Sequence, residues 1–384
     1  MALPARTARF DVDVGSALRA VLLGVGLLVG AVALLGLIGL VLTQTETAFT
    51  WSSYAQQIVS GLAQGAIFAS LALALVLIYR ATDVLNFAQG EMATFTTFIA
   101  WSLMNHMSYW PAFALTLVII YRATGVVNFA QGEMATFTTF IAWSLMNHMA
   151  YWPAFLLTCL IAFAGGVALQ RTVIRPFEKA PVLTIVIVTL GLALIFNGGS
   201  AWIWGAQVRS FESPFSTRPI HVGGVAFSIQ DIGIIVVCFV LVGLLALLFR
   251  FTKVGLALRA SAVNPDESRL VGIRVGWMLA LGWGLAAVLG AVSGMMAAPI
   301  VFLDPNMMVP ILLYAFAAAI LGGLDSPVGA VVGGLVFGVL LNLVSAYWGF
   351  VSGALKLPFG LAVILVVLLV RPSGLFGRRT VRKV

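Results

Sequence analysis

The chain has 384 residues, of which 61% are hydrophobic and 9% are charged, and its mean hydropathy is +1.09. Soluble domains carry roughly 25% charged residues, so this composition excludes a soluble globular protein and indicates an integral protein of the lipid bilayer. The net charge of +8 reflects how the loops are oriented across the membrane and does not indicate binding to nucleic acid.

Long apolar runs, each bounded by charged, Pro-Asp or Gly-rich sequence, predict an all-α fold, a polytopic bundle of transmembrane helices. A helix needs about 20 mostly apolar residues to cross a hydrocarbon core of ~30 Å, because inside lipid the backbone must satisfy its own hydrogen bonds. We predict about ten crossings, near residues 20–43, 57–79, 133–149, 153–170, 181–199, 231–249, 275–298, 307–323, 327–347 and 356–370.

The distribution of basic residues predicts the orientation of these helices, because short cytoplasmic loops are rich in Lys and Arg. With the N-terminus inside, every Lys and Arg falls on a cytoplasmic segment except Arg209, Arg218 and Lys356. Residues 201–231 then form an irregular outer loop with room for a small hairpin. The predicted domains are a cytoplasmic N-terminal segment (1–19), a transmembrane domain (20–370) and a basic cytoplasmic tail (371–384).

Residues 75–116 and 117–158 are tandem copies that differ at only five positions. One added crossing would invert all later loops against the charge bias, so the duplication adds no crossing or two, and the bundle has up to 12. A single, nearly undiverged pair differs from functional repeat arrays, which repeat more often and drift apart. The sequence leaves open which copy occupies the native position.

Between residues 250 and 274 the chain becomes polar, with a long apolar run on each side. This segment holds seven of the 34 charged residues of the chain. Pro265 directly after Asn264 is a typical helix start, the next two residues are acidic, which suits the positive end of a helix, and Gly272 can end it. Because the segment is too polar for the bilayer and too short for a domain, we predict a cytoplasmic docking loop for a soluble partner.

Motifs for hydrolysis are absent from the sequence, which contains no G-x-x-x-x-G-K-[ST], H-E-x-x-H, C-x-x-C or G-x-S-x-G pattern. We therefore predict no catalytic residues, no metal site and no cofactor, and interpret Cys159 and Cys238 as packing residues of apolar runs. Active transport would then depend on an ion gradient or on a separate ATPase. The middles of the predicted crossings hold no ionisable residue, which favours the ATPase.

Two polar, Gly-rich stretches interrupt the apolar pattern. The sequence VVNFAQGE (126–133), also present in the first copy with one change, places Asn128, Gln131 and Glu133 beside a membrane segment. The sequence ILGGLDSPVGAVVGG (320–334) supplies several glycines and a proline. Such breaks can line a solute path or form tight turns at the membrane surface, and both interpretations stay open for these stretches.

In combination, several motifs resemble the inner-membrane permeases of branched-chain amino acid ABC importers. They are GLAQGAIF (61–68), IYRATGVVNFAQGE (120–133), GLALRASA (255–262) with VGI (271–273), LGGLDSPVGAVVGG (321–334) and RPSGLFG (371–377). The chain departs from the family pattern in carrying the NFAQGE-type element twice. It also has Ser268 where the family usually has Ala.

The resemblance implies an ABC-importer permease fold in the inner membrane of a bacterium, with branched-chain or related small amino acids as substrate. It implies three kinds of partner: cytoplasmic ATPase subunits, a second permease subunit in a heterodimer, and an external solute-binding protein. Residues 258–275 would form the coupling helices, with the ATPase-coupling residues Arg259, Ala260, Asn264, Asp266, Glu267, Arg269 and Gly272. The alternatives are a related permease for urea or short amides, an ion-coupled secondary transporter, and a structural or channel-like protein.

Overall fold

The computed structural model describes residues 51–82, 128, 130–178, 180, 182–216, 218–222, 225–323, 326–347, 355–370 and 374–376. Within this part of the chain lie eleven α-helices and one two-stranded hairpin, and the predicted helical membrane bundle is confirmed. Five predictions fall outside the described residues: the N-terminal segment at 1–19, the crossing at 20–43, the polar element of the first copy at 84–91, the surroundings of Asp325, and most of the tail.

In chain order the helices are α1 (Trp51–Thr82), α2 (Gln131–Met146), α3 (Tyr151–Leu169), α4 (Val182–Trp204), α5 (Ile229–Phe251), α6 (Lys253–Val263), α7 (Pro265–Leu270), α8 (Val275–Val301), α9 (Met308–Gly322), α10 (Pro327–Tyr347) and α11 (Lys356–Val370). A π-helical turn (Gln170–Ile174) and a 3-10 turn (Arg175–Phe177) continue α3. Strands β1 (Pro219–Val222) and β2 (Val225–Ser228) pair antiparallel, as the small hairpin expected in the 201–231 loop.

Six of the described helices are long and apolar enough to cross a membrane, namely α1, α3 with its continuation, α4, α5, α8 and α10. Each of them coincides with a predicted crossing. The helices at three further predicted crossings are shorter: α2 has 16 residues, and α9 and α11 have 15 each. At about 1.5 Å per residue, a helix of 15 residues covers only ~22 Å of a ~30 Å core.

Helices α1 and α10 cross at a seam of glycines where no side chain separates the two backbones. A Cβ placed on Gly65 would lie 2.8 Å from the carbonyl oxygen of Gly334. At one end of the seam, the Asn342 side-chain amide donates to the Gln57 carbonyl oxygen at 2.7 Å and to its side-chain oxygen at 2.8 Å. Close backbone approach at small residues and interhelical hydrogen bonds are the main sources of helix association inside a membrane.

The end of helix α9 is capped by a distant part of the chain. The backbone N–H groups of Leu375 and Phe376 donate to the carbonyl oxygens of Leu321 and Gly322, at 2.8 and 3.1 Å. These carbonyls belong to the last turn of α9, whose acceptors have no partner within the helix. Residues 374–376 of the terminal motif therefore close the end of α9, and Gly374 makes the turn into this contact with φ = +72°.

We expect the substitution Gly374→Ala to destabilise the protein more than Gly272→Ala does. Both glycines have positive φ, +72° and +84°, which costs a residue with a Cβ about 1–2 kcal/mol. Only at Gly374 would the new Cβ also meet backbone, 2.5 Å from the Ile320 carbonyl oxygen, whereas at Gly272 it meets nothing within 4 Å. Thermal unfolding of the purified variants in detergent measures the difference, and equal losses would contradict this role of the terminal motif.

The loop that follows α4 is tied to the segment that follows α8. The backbone N–H of Arg209 donates to the carbonyl oxygen of Leu303, and the N–H of Leu303 donates back, both at 2.9 Å. The Arg209 guanidinium lies 4.5 Å from the centroid of the Trp143 ring and donates to the carbonyl oxygen of Trp204. These contacts hold residues 302–307 next to α2 and α4, where the candidate site lies.

Candidate translocation site and docking face

Helix α2 begins inside the bundle. The side-chain oxygen of Asn128 accepts from the backbone N–H of Ala130 at 3.1 Å, and the Asn128 carbonyl accepts from the N–H of Gln131 at 3.1 Å. Such local bonds turn the chain into the start of a helix. The Gln131 side-chain amide then donates at 2.8 Å to the carbonyl oxygen of Ala286, a residue near the middle of the 27-residue helix α8.

From this start, α2 runs beside the second half of α8 in the same direction. Thr139, eight residues after Gln131, packs against Gly294, which lies eight residues after Ala286. The sequence placed Glu133 at the end of a full crossing (133–149), and this prediction of its depth is wrong. Because the helix starts level with the middle of α8, Glu133 lies within the depth of the bundle.

Glu133 is part of a polar cluster that joins α2, α4 and residues 302–307. Its carboxylate accepts from the Asn197 side-chain amide at 3.2 Å. The same amide nitrogen donates to the Pro305 carbonyl oxygen at 3.1 Å and to the Asn306 side-chain oxygen at 2.9 Å. Asp304 is close enough to act electrostatically on Glu133. Three separate parts of the chain therefore contribute polar groups to one place among apolar helices.

The structure buries all three predicted path residues and joins two of them, Asn128 and Gln131, while Glu133 bonds to Asn197 on α4 instead. Asn128, Gln131 and Glu133 are 1%, 0% and 9% exposed, and the Asn128 amide donates to the Gln131 side-chain oxygen at 3.3 Å. Sequence reasoning missed Asn197 and Asn306. An isolated amide in the apolar run LALIFNGG is a signal that could have identified Asn197, whereas Asn306 reaches the cluster only through the fold.

The predicted coupling segment folds as two short helices, α6 and α7. Thr252 caps α6 by accepting from the N–H of Gly255 at 2.9 Å, and Asn264 caps α7 by accepting from the N–H of Glu267 at 3.2 Å. The α7 start expected from Asn264 and Pro265 is therefore present, and the chain leaves the helix at Gly272 with φ = +84°. Capping by polar side chains typically stabilises a helix by about 1 kcal/mol.

The other predicted coupling residues lie on the same two helices. Arg259 and Ala260 on α6 are half-buried, while Asp266, Glu267 and Arg269 on α7 are exposed. Arg269 donates to the Asp266 carboxylate at 3.0 Å. This pair is exposed, so it contributes little to stability.

Sequence reasoning missed the apolar tip of this segment. Leu270 and Val271 are 86% and 76% exposed, at the end of α7 and within a polar stretch that is predicted to lie in the cytoplasm. Exposed apolar side chains on a lipid-facing helix are expected, but two adjacent ones at the tip of a polar loop indicate a surface that another protein covers. The sequence shows their residue types, and only the fold shows that both point away from the bundle.

The two turns that continue α3, residues 170–177, lie beside α7. The Gln170 side-chain amide donates to the Glu178 carboxylate at 2.7 Å. Burial raises the pKa of Glu178 above its ordinary value, and the nearby Arg175 and Arg269 partly oppose this. Arg171, in the π-helical turn, lies 3.2 Å from the centroid of the Trp277 ring. The continuation of α3, the start of α8 and helix α7 therefore form one face, which we call the docking face.

A bundle of apolar helices, six of them long and apolar enough to cross a membrane, defines a multi-pass helical membrane protein. The family described as "Branched-chain amino acid transport system / permease component" matches residues 102–370, which is well over half of the chain. The chain belongs to this family of permease components, as the sequence motifs indicated. By its family membership the chain is a permease component of a transport system.

The chain is similar over most of its length to curated branched-chain amino acid permeases. It is 26% identical over 336 residues to the high-affinity branched-chain amino acid transport system permease protein LivH of Salmonella typhimurium (strain LT2), covering 86% of this chain and 98% of LivH. BraD of Pseudomonas aeruginosa, described in the same words, is 26% identical over 340 residues, with the same two coverages. The probable LivH of Methanocaldococcus jannaschii is 31% identical over 208 residues, 52% of this chain and 66% of that protein. No solved structure matches the chain.

Proposed function

We propose that this chain is a membrane-embedded permease subunit of an ATP-driven importer for branched-chain amino acids in the inner membrane of a bacterium. The observation on which the proposal mainly rests is the similarity to LivH and BraD, which covers 98% of each of those proteins. The sequence contains no phosphate-binding motif of its own, and in this proposal separate cytoplasmic ATPase subunits supply the energy. The further partners are a second permease subunit and an external solute-binding protein.

In this proposal α6 and α7 transmit the ATPase movement to the bundle. The coupling residues are Arg259, Ala260, Asn264, Asp266, Glu267, Arg269 and Gly272, together with Leu270 and Val271 of the apolar tip. The side-chain caps of both helices support this role, because a short helix that keeps its shape can transmit a displacement. The translocation path passes Asn128, Gln131 and Glu133, whose polar side chains lie at the level where α2 begins. Selectivity is shared with the external binding protein.

We further propose that the second copy of the duplication occupies the native position. The family match starts at residue 102 and so contains all of the second copy, and the path residues of this copy pack against α8. Deleting residues 75–116 joins Ala74 of α1 directly to Leu117, where the second copy begins with nearly the same sequence as the deleted one. We expect this single-copy chain to be produced and to assemble with its partners as well as the full chain does, as measured by size-exclusion chromatography of the purified complex. Loss of assembly would show that the first copy has a structural role.

The proposal is tested by co-expression with candidate ATPase and partner permease subunits from the same genome, followed by affinity purification of this chain. We expect the full chain to retain the ATPase and a deletion of residues 264–274 to lose it. Both proteins should still retain the partner permease, which controls for folding. An intact chain that retains no ATPase but takes up amino acids in response to an ion gradient would instead support a secondary transporter.

A further inference from the structure

Among the described residues, no basic side chain pairs with the buried acidic side chain of Glu133. In the part of the chain that the structure describes, the one salt bridge joins Arg269 and Asp266 on the docking face. Glu133 is 9% exposed, and the charged group that acts on it is a second acid, Asp304. An uncompensated carboxylate inside a membrane bundle is costly and is retained where a function needs it. Two neighbouring acids make this place attractive to a cation.

The cluster also offers more hydrogen-bond acceptors than the Asn197 amide can serve by itself. The Asn197 amide has two N–H groups, but three acceptors lie within 3.2 Å of its nitrogen: the Glu133 carboxylate, the Pro305 carbonyl and the Asn306 side-chain oxygen. At least one acceptor therefore lacks a hydrogen from Asn197. A primary ammonium group supplies three donors and no acceptor, which is the complement of these three oxygens.

The cluster can be reached from outside the chain. Asn306 is exposed and Asn197 is half-buried. Beside Asn197, a Cβ on Gly198 would meet nothing within 4 Å, so no described residue of this chain covers this side of α4. Residues 302–307 lie between two helices in the predicted outer half of the bundle, on the side from which an importer receives its substrate.

We propose that Glu133, Asn306 and the Pro305 carbonyl bind the ammonium group of a zwitterionic substrate. Asn197 is then the positioning residue, because its hydrogen bond keeps the Glu133 carboxylate next to the other two oxygens. This inference rests on the proposed function and adds which residues of this chain recognise the primary ammonium group of the substrate. The ammonium donates to the acceptors that otherwise compete for the two N–H groups of Asn197. Its charge-assisted hydrogen bonds to the carboxylate provide most of the binding free energy. Urea and neutral amides lack this group and are poor ligands.

The test measures whether ligands protect a cysteine placed next to the cluster. Val309, one helical turn after Asn306 and 42% exposed, is replaced by Cys in a chain whose Cys159 and Cys238 are replaced by Ala. The purified permease complex is treated with N-ethylmaleimide in the presence of leucine, of leucinol, which keeps the ammonium but lacks the carboxylate, or of 4-methylpentanoate, which has the carboxylate only. We expect leucine and leucinol to slow the labelling and 4-methylpentanoate to have no effect.

The same experiment with Glu133→Gln and Glu133→Asp separates charge from packing. We expect the leucine concentration that halves the labelling rate to rise about tenfold or more in E133Q, which corresponds to ~1.4 kcal/mol, and much less in E133D. Equal protection by 4-methylpentanoate, unchanged protection in E133Q, or no protection by any ligand would each overturn the inference. These outcomes are distinct from failure of the proposed function, in which the complete complex with its binding protein imports no leucine on ATP.

Discussion

The substitution Gly338→Ala is expected to destabilise the bundle strongly, although it adds only one methyl group. The Cβ would overlap the backbone of Gly65 and lie 2.7 Å from the Gly61 carbonyl oxygen. Helices α1 and α10 can make room only by moving apart, which also breaks the bonds between Asn342 and Gln57. Overpacking of this kind costs about 1–3 kcal/mol or more, in a protein whose net stability is only about 5–15 kcal/mol.

The matched control for this prediction is Gly243→Ala in α5. Gly243 is also inside a long apolar helix, but a Cβ there meets nothing within 4 Å. The control should be neutral or slightly stabilising, since Ala is favoured over Gly in a helix by about 1 kcal/mol. The yield of monodisperse protein on size-exclusion chromatography and the midpoint of thermal unfolding measure both variants. Similar behaviour of the two would contradict the close approach of α1 and α10.

The double substitution Leu270→Asp and Val271→Asp is expected to abolish stable binding of the ATPase. Both side chains are largely exposed, so the fold should tolerate the change. At an interface, each would bury an unpaired charge in place of an apolar contact, and central interface residues commonly contribute about 2 kcal/mol or more. We therefore expect the affinity to fall by at least about 100-fold, as measured by binding of the purified ATPase to the permease in nanodiscs.

The control for the docking prediction is Ile220→Asp in strand β1. Ile220 is also exposed, at 45%, but it lies in the predicted outer loop, on the opposite side of the membrane. ATPase binding should be unaffected by this change. If I220D weakened binding as much as the double variant, or if the double variant bound normally, α7 would not be the docking element.

Features encoded by neighbouring residues could be predicted from the sequence. The apolar runs gave the positions of the six long helices, and the start of α7 followed from Asn264 and Pro265, because a cap and a proline act within one turn. The motif around Asn128, Gln131 and Glu133 was identified as a break in the membrane pattern. For each of these features the cause lies within a few residues of its effect.

Features that depend on contacts between distant residues could not be predicted. The depth of Glu133 depends on the bond from Gln131 to Ala286, which lies 155 residues away. Asn306 and Pro305 join Glu133 only because the Arg209 backbone pairs with Leu303. The exposed apolar tip at Leu270 could not be predicted because charged and polar residues dominate the sequence of this loop, whereas an apolar side chain marks a protein contact only when the fold leaves it uncovered.

The depth of Glu133 also changes one argument about energy coupling. The apparent absence of ionisable residues inside the crossings favoured an ATPase over an ion gradient. Since Glu133 lies within the bundle, the placement of ionisable residues does not distinguish an ATPase from an ion gradient as the energy source. The proposal of an ATP-driven importer therefore rests on the family membership and on the docking face. A direct measurement of transport tests it.

That measurement is uptake of labelled leucine into proteoliposomes that contain this chain with its partner permease and ATPase subunits, with the binding protein supplied on the substrate side. The account predicts uptake that requires ATP on the ATPase side, proceeds without any ion gradient, and is lost when Leu270 and Val271 are replaced by Asp. Uptake by the permease subunits alone in response to a proton or sodium gradient, with no effect of ATP, would contradict it.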